Sequence, residues 1–118
     1  MVDSRGKTIL PGLVCAHTHV YSALARGMPG PTEAPTNFPE ILERVWWRLD
    51  RALDGHSIFS SGLVAGLDAI RCGTTTLIDH HASPNHILGS LGLLKIAFSE
   101  VGLRGVLCYE VTDRNGME

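Results

Sequence analysis

Pro11-Gly12-Leu13-Val14-Cys15-Ala16-His17-Thr18-His19 is the stretch on which the fold and chemistry of this chain turn. Leu13 to Ala16 is apolar at every position, as expected of a strand buried on both faces. The Pro11-Gly12 pair before it predicts a sharp entry turn. His17 and His19 follow at i and i+2, and side chains two apart on a strand share a face, so both imidazoles can converge on one point. A neutral imidazole nitrogen is a good ligand for zinc and similar metals. A bare H-x-H is a common pairing, and two unrelated polar residues in a strand-end loop would look the same. The strand and the Pro-Gly pair in front make metal ligation by His17 and His19 the expectation.

Lys7 to Leu10 reads as a short extended piece, and Gly27 to Pro39 as a long loop punctuated by Pro29, Pro31, Pro35 and Pro39. Glu40 to Leu53 carries Ile41, Leu42, Val45, Trp46, Leu49 and Leu53 at helical spacing. Ser57 to Cys72 repeats the pattern, with Gly73 as its stop. Thr74 to Asp79 is rich in β-branched residues and predicts a strand. Asn85 is expected to cap a third helix with Ile87, Leu91, Leu94, Phe98 and Val101 toward the core, ending at Gly102. Leu103 to Val111 predicts a third strand. Strand, helices, strand, helix, strand implies successive β-α-β units and a parallel sheet with right-handed crossovers. In such a sheet the strand C-termini gather ligands and catalytic groups, and there the histidines lie.

The chain has 118 residues, enough for one domain with a hydrophobic core, and its 44% hydrophobic and 19% charged residues are those of an ordinary soluble protein. A net charge of -2 without a basic patch argues against nucleic-acid or anionic-membrane partners. No apolar run approaches the roughly 20 residues of a membrane helix. Residues 1 to 7 lack the apolar core of a signal peptide. Cys15, Cys72 and Cys108 form no C-x-x-C pair; each sits among apolar neighbours and is expected to be a small buried hydrophobe in a reducing compartment. A cytoplasmic protein is the resulting expectation.

Asp79, His80 and His81 end the second strand on the same rim as the histidine pair. Strand parity puts Asp79 and His81 on one face and His80 on the other. Contact with the metal site or substrate competes here with loop-capping hydrogen bonds. Glu110, Asp113 and Arg114 lie at the end of the third strand, where solvated loop charges are the plainer expectation. His56 and His86 sit at helix starts and read as structural. Trp46 and Trp47 could stack on a substrate, but Trp46 falls on the apolar stripe of its helix and is expected in the core, with Trp47 left open between the two roles.

These residues resemble the amidohydrolase superfamily. PGLVCAHTH is similar to its opening signature, and Gly73-Thr74-Thr75-Thr76-Leu77-Ile78-Asp79 resembles the second strand of its deaminase and chlorohydrolase branch. Several members carry an aspartate two residues before the first histidine. Cys15 stands there, which favours the one-metal, deaminase-like branch over the two-metal one. WWRLDRALD, DHHASPN and TDRNG look most like aminohydrolases associated with selenium metabolism. The resemblance implies an α/β fold, a partial (β/α)8 TIM-type barrel comprising the first three parallel strands and their helices. It implies residues 1–10 as the end of a small N-terminal β domain, and 11–118 as the first part of the barrel, truncated at both ends. It implies His17 and His19 as ligands of a divalent metal (zinc, or iron), and Arg26 with the following loop near a heterocyclic or amidine-type amine. Asp79, His81 and Glu110 are the expected substrate-contacting or supporting residues. The remaining metal ligands and the proton-transfer glutamate fall beyond Glu118, and a homo-oligomer is implied for the complete protein. A non-catalytic barrel fragment and a histidinol-phosphatase-like phosphoesterase are the competing expectations; the latter fits the Gly-Thr-Thr-Thr strand poorly.

Overall fold

Gly73 and Gly102 mark the two places where a helix hands the chain back to the sheet. Both adopt positive φ, 81° and 72°, which glycine takes without steric cost. Their amides close the preceding helices onto Ile70 and Ser99. The structure, a computed structural model, describes residues 3–116. Strand β1 (Leu13–Thr18) leads into a 3-10 helix (Val20–Ala25). After the proline-rich loop come α1 (Phe38–Ile41), a π-helical turn (Leu42–Trp46) and α2 (Trp47–Arg51). Helix α3 (Gly55–Arg71), strand β2 (Thr74–His81), α4 (Ser90–Glu100) and β3 (Arg104–Tyr109) complete the order.

The three strands form one parallel sheet in the order β1-β2-β3, with α3 and α4 as crossovers on one side. This is the expected start of a (β/α)8 barrel. Ile58, Leu77, Leu94, Phe98 and Leu103 form the core between sheet and helices. Asp54 caps α3 through the Ser57 amide, and Ser57 returns the bond to the Asp54 amide. Satisfying two orphan donors at once fixes the helix start.

Four local expectations change. The helix after β2 starts at Ser90 rather than near Asn85, because Gly89 at φ 84° supplies the boundary. Asn85 instead donates to the Arg51 carbonyl at 2.6 Å, and Ile87 is exposed. Pro39 lies in the first turn of α1, where a missing N–H costs nothing. Residues 8–12 contain no turn; Gly12 is needed because a Cβ there would overlap the Thr75 side chain. Cys72 and Cys108 are exposed, the first at the end of α3 and the second on the face of β3 away from the helices.

That second face explains another departure. Val14 and Val106 are 61% and 56% exposed although their strands are apolar on both sides. The helices cover only one face among the described residues, and the other is the side that faces a barrel interior. No helix among the described residues is long and apolar enough to cross a membrane.

Candidate metal centre

Register decides which side of the sheet the histidines occupy. Cys15 pairs with Leu77 and Thr18 with Asp79, so three steps along β1 match two along β2. The extra residue is a β-bulge, a device that re-aims side chains beside functional sites. Cys15 packs against the core, on the helix side. Thr18 shares that side with the buried Asp79, since paired residues of parallel strands face the same way. Without the bulge, His17 would follow Cys15 under the helices. With it, His17 and His19 emerge on the opposite face, lining a cavity with Ala16, Ile78, His80 and Cys108, whose wall Thr18 and Asp79 also reach.

There the two rings meet. Nε2 of His17 lies 3.1 Å from Nε2 of His19, with the ring planes 80° apart. Nδ1 of His19 lies 2.9 Å from the carbonyl oxygen of His80. A carbonyl only accepts, so Nδ1 carries the proton, and in the neutral ring the Nε2 lone pair of His19 turns toward His17. Two nitrogens bound to one tetrahedral zinc at about 2.0–2.1 Å stand roughly 3.3 Å apart. The spacing and the tautomer therefore both fit a shared divalent ion. Among the described residues no third His, Cys, Asp or Glu joins them as a ligand group.

The support comes from both sides. Oδ1 of Asp79 accepts the amide hydrogen of Val20 at 2.7 Å, fixing the chain immediately after His19. Burial raises the Asp79 carboxyl to about 6, opposed by that hydrogen bond and by His19 and His80. Trp46 packs against the core as expected and also stands 5.6 Å from the His19 ring, with Tyr21 6.0 Å away.

Parity sends His81 to the helix side, where it is fully buried between Tyr21 and Tyr109 and bonds Ser83 Oγ at 2.9 Å. Burial lowers its pKa to about 4. It does not line the cavity of the histidine pair; His80 does. Arg26 is exposed at the end of the 3-10 helix and is not part of that cavity wall. Glu110 extends the β3 rim, its amide bonding the His81 carbonyl at 2.8 Å, and its carboxylate accepts from Arg114 at 2.7 Å. Arg114 is no solvated loop charge: it is nearly buried, 2.7 Å from Asp50 of α2 and 5.1 Å above the Trp47 ring. Spacing alone gave no sign of this pair, since Asp50 and Arg114 are far apart in sequence and belong to different elements.

The model of the amidohydrolase family matches residues 8–118. The chain belongs to the amidohydrolase family. Relatives of this amidohydrolase include the 5-methylthioadenosine/S-adenosylhomocysteine deaminase of Desulforudis audaxviator, 34% identical over 91% of this chain and 22% of that protein. The enzyme of the same name from Pyrococcus furiosus is 30% identical over the whole chain and 26% of its own length. The 5'-deoxyadenosine deaminase of Methanothermobacter thermautotrophicus is 29% identical over the whole chain and 25% of its own length. The chain thus spans about a quarter of the length of the curated relatives it matches.

Proposed function

We propose that this chain supplies the opening strands and the first two metal ligands, His17 and His19, of a hydrolase that removes an amino group from a small heterocyclic amine. The observation that carries the proposal is the pair of Nε2 atoms 3.1 Å apart, one of them oriented by the His80 carbonyl. A divalent ion held there, zinc or iron, would supply the attacking water by lowering its pKa toward about 7. The residues of this chain hold and orient. His17 and His19 would bind the ion, Asp79 fixes the backbone beside His19, and Trp46 and Tyr21 shield the inner side of that ring. The deaminase names of the relatives support a nucleoside-type amine as substrate. The sequence resemblance to selenium-associated aminohydrolases is a finer form of this reading.

We read residues 1–10 as the end of a preceding small β domain and 11–118 as the first part of the barrel. Homo-oligomerisation and a cytoplasmic location belong to the same reading of the complete protein. A second reading, that these 118 residues alone are non-catalytic, is favoured by the two-ligand set and the uncovered sheet face. The deciding experiment uses the complete protein: bound metal is quantified, and 5'-deoxyadenosine and 5-methylthioadenosine are tested for ammonia release. Metal-dependent release that disappears in His17→Ala supports the function. A metal-free protein, or metal-independent release, overturns it.

A further inference from the structure

Two adjacent histidines end β2, and the sheet separates them. His81 goes to the helix side, where it is fully buried and bonded to Ser83. His80 goes to the cavity side, half-buried, its ring perpendicular to that of His19 with centroids 5.5 Å apart. Its backbone is anchored, because its carbonyl receives the Nδ1 hydrogen of His19. The position of its Cα relative to the histidine pair is therefore fixed by the same bond that orients His19. Its imidazole, by contrast, has no hydrogen-bond partner among the described residues. Besides the three histidines, Ala16, Thr18, Ile78, Asp79 and Cys108 line the cavity, the Asp79 carboxylate being buried and bonded to the Val20 amide.

A neutral imidazole offers one donor and one acceptor. Set beside the small and apolar side chains of Ala16, Ile78 and Cys108, within a ring's width of the candidate metal ligands, it can reach a heteroatom of a molecule whose reacting carbon sits over the ion. Sites that bury a hydrogen-bonding group discriminate strongly against ligands that cannot satisfy it, because the unpaired group is left desolvated. We propose that the His80 side chain is a substrate-contacting, specificity-determining residue that donates a hydrogen bond to a ring nitrogen of the heterocyclic amine. This rests on the deaminase reading above and adds a residue and a contact to it. It also separates the two halves of His80: the carbonyl serves the protein, and the ring serves the substrate.

The test is a set of variants in the complete enzyme with 5'-deoxyadenosine as probe. His80→Phe keeps an aromatic ring but no hydrogen bond, and His80→Gln restores a donor. His80→Phe should raise KM at least tenfold with metal content unchanged, and His80→Gln should recover part of that loss. Binding of 5'-deoxyadenosine to the metal-free protein, measured by calorimetry, should weaken in parallel. The 1-deaza, 3-deaza and 7-deaza analogues locate the partner: for one of them, wild type and His80→Phe should bind equally. Unchanged KM in an active His80→Phe enzyme overturns this inference alone. So does an effect of equal size with all three analogues, or loss of bound metal in both variants. A wild-type enzyme that releases no ammonia overturns the deaminase reading, and this inference with it.

Discussion

Oδ1 of Asp79 and the amide of Val20 are joined by a 2.7 Å hydrogen bond that spans 59 positions of sequence and ties the end of β2 to the residue after His19. The bond is buried, so neither partner is exchanged cheaply for water. Asp79→Ala should cost about 1–3 kcal/mol, the usual penalty for leaving a buried donor unpaired. It should also weaken metal binding on the order of 10–100-fold, as loss of a group that orients a ligand does. Asp79→Asn keeps the accepting oxygen and should retain most of both. Urea unfolding and metal titration measure the two effects; an Asp79→Ala protein with wild-type metal affinity would refute the positioning role.

Protonation of Asp79 and of His81 should act on stability in opposite senses. Asp79 is raised from 3.8 to about 6, so the folded state holds its proton more tightly, and its contribution falls as pH rises across that window. His81 is lowered from 6.5 to about 4, so the folded state rejects its proton, and its contribution grows as pH rises from about 4 to 6.5. Between about pH 4 and 6 the two oppose each other. Asp79→Asn removes one, and its stability should climb with pH more steeply than that of the wild type in this range. Parallel stability profiles for the two proteins would argue against this pairing of shifts.

His17 is exposed at the strand end and touches little of the core. His17→Ala should therefore change unfolding stability by no more than about 0.5 kcal/mol, as at other surface positions. Metal content, read by elemental analysis, should nonetheless fall to background. Retained stoichiometric metal would show that His17 is not a ligand.

The 118-residue chain by itself should show no measurable hydrolase activity and weak zinc affinity. Two histidines are one short of the three protein ligands usual for catalytic zinc. The uncovered sheet face with Val14 and Val106 should also drive self-association, visible in sedimentation. A monomer that binds one zinc tightly and turns over a heterocyclic amine would overturn this.

The parallel order of the strands was legible because local signals agreed: apolar runs, β-branched residues after Gly73, and helical periodicity between them. Convergence of His17 and His19 was legible from spacing alone. Which face they converge on was not, because the bulge depends on the register between β1 and β2, and single-chain periodicity carries no register. Parity correctly split His80 from His81, but nothing in the sequence says which face the helices cover. The Asp50–Arg114 pair was hidden for a similar reason: it forms only when α2 and the loop after β3 are folded together. The late start of α4 was masked by Ile87, whose spacing suits a helix that Gly89 in fact begins two residues later.

The extra residue in β1 shows that the site is set by pairing as well as by spelling. Deleting Ala16 would leave the His-Thr-His triplet intact and make the steps on the two strands equal, and regular alternation from Cys15 would then carry both imidazoles to the cavity face without a bulge. With Ala16 in place the same alternation would turn them beneath the helices, and the bulge undoes that. What must be preserved is therefore the partnership of Thr18 with Asp79, to whose opposite side both histidines fall.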